Sequence, residues 1–426
     1  MNKTFQSFVF GCRVNEAERM KFDIELAAAG FTVDLASPSF LIINTCAITG
    51  KAEREAKQLV YQLRKKHPEA KIVITGCSGT LWSKYKTSEE QLADIIVPND
   101  KKSSLVAHLL AGYDGPLATA SVAKATGDKF RHSNRLLVKI QDGCHRFCAY
   151  CIVPYLRGQP QSQKTADIIR YIQSIQPLPS EVSLSAINTE SFGKDTGETL
   201  MQLLQATLQL TKVPRIALGS LHPWSLTREF LAYYGSTLSR EARFVQFFHV
   251  PIQSGSPHIL KLMRREYEID TIAKNLISLK NANPFALIAT DVIVGYLGET
   301  DELFEETYQF LKHSPINRFH VFRFSNRPHT AAFYLKKNMS EPSAEKKKER
   351  SQKLIDLSKK KYKQFTESLI GTSCTALVIA REKAGFKILL DNNVEGIIQD
   401  KDCLPGQIAH VTIINAKNGI AFCKES

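Results

Sequence analysis

The sequence predicts an α/β protein in three parts: an amino-terminal αβ layer, a partial (β/α)6 TIM-like barrel and a small carboxyl-terminal β-barrel. Three observations carry this prediction. Short apolar runs alternate with helical periodicity before residue 125, six strand-like runs separated by helix-like stretches fill the middle, and closely spaced, glycine-punctuated strands follow residue 366.

In the first part, Phe8-Val9-Phe10, Phe40-Leu41-Ile42-Ile43 and Lys71-Ile72-Val73-Ile74 read as strands, and residues 14–29 and 51–66 as helices. Each strand runs into a cysteine, at Gly11-Cys12, Asn44-Thr45-Cys46 and Gly76-Cys77. Parallel strands bring their carboxyl ends to one edge, so these thiols become neighbours suited to a shared metal cluster. The same placement suits ordinary buried cysteines; its repetition favours ligation.

In the middle part, runs at 136–140, 181–187, 215–219, 245–250, 287–295 and 318–324 read as six strands. Right-handed crossovers make them parallel and gather their carboxyl ends into one mouth. Asn188, Ser220 with His222, Gln253-Ser254 and Asp291 fall at those ends. They are candidate cofactor contacts, although several also suit helix capping.

The first of these strands leads into Cys144, Cys148 and Cys151, a C-x3-C-x2-C triad. A four-iron cubane takes one thiolate per iron, and the following Ile152-Val153-Pro154-Tyr155 supplies no fourth. One iron is left open for a substrate or cofactor. A ferredoxin run closes with a fourth cysteine before proline, and a structural zinc site takes four ligands, so the triad points away from both.

A lysine-rich helix is predicted at 343–365, with Lys346-Lys347-Lys348 and Lys359-Lys360-Lys361. Such a run usually marks a solvated face. After it, strands are predicted at 375–379, 386–390, 394–398, 410–414 and 419–422, the pattern of a small five-stranded barrel of the kind that binds single-stranded or looped RNA. Cys374, Cys403 and Cys423 show no ligand spacing and read as structural.

Nine cysteines in 426 residues are too sparse and too odd in number for a disulfide scaffold. No apolar stretch suits a membrane span, and the start lacks the apolar core of a secretory signal, so a cytoplasmic protein with no membrane partner is expected. The net charge of +14 suggests an anionic partner, with nucleic acid the first candidate.

With Tyr150 just before its last cysteine, the triad resembles the signature of the radical S-adenosylmethionine enzymes. That resemblance implies that the cofactor's amino and carboxylate groups chelate the open iron of a cluster held by Cys144, Cys148 and Cys151. The reduced cluster then splits the sulfonium, and the 5′-deoxyadenosyl radical takes a hydrogen that no side-chain base could remove. Tyr150 becomes a candidate adenine contact, alongside Asn188, Gln253 and Ser254 as cofactor-binding residues.

Taken whole, the three parts in this order resemble the methylthiotransferases, with a cluster domain at 1–125, a radical core at 126–360 and a TRAM RNA-binding domain at 361–426. Gly11-Cys12-Arg13-Val14-Asn15, Asn44-Thr45-Cys46-Ala47-Ile48-Thr49, Thr75-Gly76-Cys77, Pro251-Ile252-Gln253-Ser254-Gly255 and His320-Val321-Phe322-Arg323-Phe324-Ser325 carry the likeness. It implies two 4Fe-4S clusters, the second held by Cys12, Cys46 and Cys77, and two uses of S-adenosylmethionine: one to methylate a sulfur, one to generate the radical. The implied partners are the anticodon loop of a tRNA, an electron donor of the flavodoxin or ferredoxin type, and a sulfur donor.

The run Cys12-Arg13-Val14-Asn15-Glu16, Thr49 and the helix Ala52-Glu53-Arg54-Glu55-Ala56-Lys57-Gln58 are most similar to the branch that acts on N6-threonylcarbamoyladenosine at tRNA position 37. The isopentenyladenosine branch usually shows Gln-Met-Asn after its first cysteine, and the ribosomal-protein branch Pro-Lys-Asn. Three positions depart from the family pattern: Leu297 for a usual proline, Ala186 for a frequent glycine near the cofactor, and His145 for a frequent asparagine. The rival readings are another methylthiotransferase branch and a non-catalytic iron-sulfur RNA-binding protein.

Overall fold

The computed structural model describes residues 3–111, 134–399 and 403–426. The expected boundary between the first two parts, at residue 125, lies outside the described residues. The first sheet contains β1 (Thr4–Val9), β2 (Thr32–Val33), β3 (Phe40–Thr45), β4 (Lys71–Thr75) and β5 (Ile95–Val97), all parallel, in the order β2-β1-β3-β4-β5. Central β3 is buried along its whole length, as a parallel strand covered on both faces must be. Leu41, Ile43, Ile72 and Ile74 pack with Leu63 and Trp82 on one face, and Phe40, Ile42 and Val73 pack with Phe22, Leu26 and Leu105 on the other.

Helices Arg13–Ala28, Gly50–Lys66 and Gly76–Tyr85 follow β1, β3 and β4. Thr49 caps the second, its hydroxyl accepting from the Ala52 amide at 3.2 Å. Strand β1 starts at Thr4, earlier than its apolar run at Phe8. Of the extra residues Thr4, Gln6 and Ser7 are polar, Ser7 Oγ donating to Asp23 Oδ2 at 2.8 Å, while Phe5 is buried in the core beside Phe22 and Phe31. The short β2 and β5 have no period of their own and exist through pairing with β1 and β4.

In the middle part β6 (Arg135–Asp142), β8 (Glu181–Ala186) and β9 (Arg215–Leu218) are parallel, with β7 (Gln161–Ser162) antiparallel at the edge of β6. β10 (Phe247–His249), β11 (Leu287–Val294) and β12 (Arg318–Arg323) form a second parallel set. Parallel bridges from Ile216 to Phe244 and from Ser220 to His249 join the two sets. The six expected strands therefore make one open barrel.

Strand alternation sorts the side chains. Ile216, Leu218, Phe248 and Ile288 pack with Leu203, Tyr234, Leu276 and Leu279 of the covering helices. Their opposite-facing neighbours Ala217, Val245, Phe247, Leu287 and Ala289 share a core with Leu369, Val394 and the third part. Two residues further along the same rows, Phe247 gives way to His249 and Ala289 to Asp291, so an apolar floor leads to a polar mouth.

The third part is a closed barrel of β13 (Ser373–Glu382), β14 (Gly385–Leu390), β15 (Glu395–Ile398), β16 (Ile408–Lys417) and β17 (Ile420–Glu425), in the order β13-β14-β15-β17-β16. It attaches at the amino ends of the parallel strands: Arg215 donates to the Leu390 carbonyl and the Gln246 amide to that of Asp391. The lysine-rich helix, Ala344–Glu367, is not simply a solvated face. Arg350 is buried against Glu299 at 2.6 Å and Asp301 at 2.9 Å, while Leu354, Leu357 and Phe365 enter the core.

Candidate functional site: two cysteine sets joined by a buried charge network

Strands β1, β3 and β4 lie side by side, and each hands the chain to a cysteine. Cys12 precedes helix Arg13–Ala28, Cys46 follows Thr45, and Cys77 lies in the first turn of Gly76–Tyr85. Close approach depends on glycine. Gly11 and Gly76 have φ of +95° and +89°, and a Cβ added at Gly11 would fall 2.6 Å from Cys46 Sγ. Burial, and then the charges of Cys77 and Cys12, push the Cys46 thiol up to about 12. Burial raises Cys12 in the same direction, with Cys77 adding to it and Arg157 opposing. Thiols that repel one another as thiolates suit a cationic centre placed among them.

The second set follows β6. Gly143, at φ +74°, turns the chain where a Cβ would meet the Gln159 carbonyl oxygen at 2.1 Å. Phe147, at φ +46°, carries it round between Cys144 and Cys148. Cys144 Sγ accepts from the Arg146 amide at 3.5 Å and from Asn188 Nδ2 at 3.7 Å. Cys148 Sγ accepts from Arg265 Nη1 at 3.7 Å. Burial raises Cys144 and Cys151, and the neighbouring Cys148 charge adds to both.

Arg265 is only 6% exposed. Its other hydrogen-bond partners are the Pro251 carbonyl at 2.6 Å and the hydroxyls of Tyr150 and Tyr267, and its guanidinium covers the Trp224 ring. No carboxylate is among these partners in the described residues. A buried cation without a counter-ion is costly, and a thiolate-ligated cluster, anionic overall, beside Cys148 meets that need. The donor set and this charge both fit an iron-sulfur cluster.

A buried network joins the two sets. Arg157, six positions past Cys151, pairs with Glu18 at 3.1 Å and Asp142 at 2.7 Å and donates to Asn15 Oδ1 at 2.6 Å. Glu18 also binds Lys102 at 2.5 Å and Lys139 at 2.8 Å. Burial opposes ionisation of Glu18, but these three cations hold its carboxyl well below the usual range. Asn99 Nδ2 bridges Cys77 Sγ at 3.8 Å and the Leu156 carbonyl at 3.0 Å, tying the first set to the segment that follows the second.

Above the barrel floor, His249 Nε2 meets Asp291 Oδ1 at 2.9 Å, and His320 Nδ1 meets the same oxygen at 3.3 Å. Burial works against the Asp291 carboxylate, yet these two contacts bring it down to about 2. Burial, with the charge of Arg265, pulls the His222 imidazole down to about 3. Of the expected cofactor contacts, Asn188 and Tyr150 lie at the triad. Gln253 holds a left-handed backbone at φ +69° that bonds to Asp291 and Ile293 of β11. The Ser254 hydroxyl is buried, sharing a hydrogen bond with Thr307 and accepting from the Ser256 amide. Leu297 packs in a small core with Ala149 behind the triad, Ala186 ends β8, and His145 lies 3.5 Å from Ser191 Oγ.

Arg157, Arg265, Asn99 and His249 had no motif to mark them. Arg157 carried the only usable signal, its closeness in sequence to Cys151.

Comparison with known proteins agrees with this architecture. Residues 138–311 match the Radical SAM superfamily, and residues 4–98 match the Uncharacterized protein family UPF0004. The chain is 31% identical to the threonylcarbamoyladenosine tRNA methylthiotransferase MtaB of Aquifex aeolicus, over 91% of this chain and 95% of that protein. It is 27% identical to the tRNA-2-methylthio-N(6)-dimethylallyladenosine synthase of Pelotomaculum thermopropionicum, over 97% and 96%. The fold is also similar to that of the radical S-adenosylmethionine methyltransferase TsrM of Kitasatospora setae, with a TM-score of 0.52 at 11% identity over 78% of this chain and 77% of that one. The chain belongs to the radical S-adenosylmethionine methylthiotransferase family.

Proposed function

We propose that this protein replaces the C2 hydrogen of N6-threonylcarbamoyladenosine, at tRNA position 37 beside the anticodon, with a methylthio group. The observation that carries the proposal is the pair of three-cysteine sets at strand carboxyl ends, linked through Arg157, in a chain several of whose relatives are named threonylcarbamoyladenosine tRNA methylthiotransferases. Cys144, Cys148 and Cys151 would hold one 4Fe-4S cluster, and Cys12, Cys46 and Cys77 a second. With S-adenosylmethionine bound, such a pair supplies radical hydrogen abstraction and a methylated sulfur, which suits a C2–H that no side-chain base can deprotonate.

The protein's own groups then hold and insulate this chemistry. Asn188 and the Arg146 amide donate to Cys144, and Arg265 supplies the counter-charge at Cys148. Tyr150 and the backbone at Gln253 line the cofactor site, and Ser254 braces the turn that carries Gln253. The amino ends of the barrel strands bear the small β-barrel, so its part in binding is to grip the body of the RNA, by charge and stacking, while the target base enters at the opposite end. Divisions at 1–125, 126–360 and 361–426 would then separate sulfur donation, radical generation and RNA binding. A cytoplasmic setting, a flavodoxin- or ferredoxin-type reductant and a sulfur donor complete the scheme.

The test is anaerobic turnover by the iron-loaded chain, with tRNA bearing threonylcarbamoyladenosine, S-adenosylmethionine, a reductant and sulfide. Mass spectrometry of the digested nucleosides should show the 2-methylthio product. Conversion only of isopentenyladenosine would assign the chain to another branch, and no cleavage of S-adenosylmethionine would favour a non-catalytic RNA-binding role.

A further inference from the structure

We infer that Arg157 is a positioning residue that sets the reduction potential of the cluster at Cys12, Cys46 and Cys77, through its charge and through an Nε–H directed to that cluster's sulfur. This rests on the reading that those three cysteines hold a cluster.

The Arg157 side chain is fully buried. Its two terminal nitrogens are occupied by Glu18, Asp142 and Asn15. Its Nε–H has no acceptor among the described residues, and a buried N–H in that state ordinarily has a partner. Among the described residues the surrounding charges do not balance either. Arg157, Lys102 and Lys139 contribute three positive charges, against two negative charges from Glu18 and Asp142, which leaves one positive charge over. Beyond Glu18 and Asp142, the groups whose negative charge bears on Arg157 are Cys77 and Cys12 as thiolates. Position agrees with charge. Asn15 lies one helical turn past Cys12, and Asn99 connects Cys77 to Leu156, the residue before Arg157. The opposite end of the network, Asp142, lies two residues before Cys144. One guanidinium thus fixes the distance between the sets and stabilises added negative charge at the first. Net charge and hydrogen bonds to sulfur are two of the levers by which a protein moves a cluster's potential.

The experiment uses the full chain with Cys144→Ala, Cys148→Ala and Cys151→Ala together, so that iron reports the first set alone. After anaerobic reconstitution, iron is counted and the midpoint potential is measured by a titration followed by electron paramagnetic resonance. Adding Arg157→Gln should move the potential negative, with the reduction equilibrium weakened about tenfold, or ~59 mV for one electron. Arg157→Lys keeps the charge but loses the Nε–H, and should shift the potential in the same direction by less. It also decides the matter if Arg157→Gln does not fold. With iron loaded in every chain, an unshifted potential in Arg157→Gln would overturn the inference while leaving the cluster in place, and so would equal potentials in the Arg157 and Arg157→Lys chains, which would show that no Nε–H reaches the cluster's sulfur. A triple-alanine chain that binds no iron would instead overturn the two-cluster reading, and the inference with it.

Discussion

Arg265 Nη1 stands 3.7 Å from Cys148 Sγ, and among the described residues no carboxylate shares that buried guanidinium. On the proposed reading the apoprotein carries a buried cation whose counter-charge the iron-loaded form would supply. Arg265→Met should leave the apoprotein as stable as the parent or more stable by about 1–3 kcal/mol, while the loaded variant loses reductive cleavage of S-adenosylmethionine. Urea unfolding of the apo forms, paired with 5′-deoxyadenosine release by the loaded forms, checks both halves. A strongly destabilised apo variant would show that Arg265 is a packing residue.

The two cysteine sets predict a division of labour. Cys148→Ala should abolish cofactor cleavage, because on the proposed reading it removes a ligand of the radical-generating cluster. Cys46→Ala should impair sulfur insertion while sparing much of the cleavage. Parallel assays of 5′-deoxyadenosine and of methylthiolated nucleoside separate the two effects, and equal loss of cleavage in both variants would contradict separate roles.

His222 gives the mouth a pH dependence. Its folded value of about 3 lies below the ordinary histidine value, so under acid the unfolded chain takes a proton that the folded chain declines. Stability is unaffected above about 6.5 and falls as the pH drops from there toward 3, by at most ~1.4 kcal/mol per pH unit. Between pH 7.5 and 5.5 the parent apoprotein should lose on the order of 1 kcal/mol more than His222→Asn. Unfolding curves at the two pH values measure the difference, and identical losses would show that the imidazole charges as freely in the folded chain as in the unfolded one.

The fold was legible wherever hydrophobic period and length agreed. The six barrel strands and the five of the small barrel fall within a few residues of their apolar runs, and β3 is unmistakable as an unbroken buried run from Phe40 to Ile43. Strands β2 and β5 were hidden because a strand of two or three residues is defined by its neighbour, not by its own sequence. The cysteines were legible because ligand spacing is local in the triad and strand ends are readable in the first sheet. Arg157 and Arg265 were not. Their importance lies in charges supplied by Glu18 and Asp142, or in the lack of a carboxylate partner among the described residues, and no local pattern encodes such contacts. The lysine run misled in part, since Lys347 and Arg350 turn inward and only folding shows that Glu299 and Asp301 await Arg350.

The substrate assignment is tested most directly by the nucleosides of a strain lacking this protein, measured by mass spectrometry with and without the gene restored. The account predicts that 2-methylthio-N6-threonylcarbamoyladenosine disappears, that its unthiolated parent accumulates, and that both changes reverse with the gene. An unchanged level of that nucleoside in the deletion strain would contradict it.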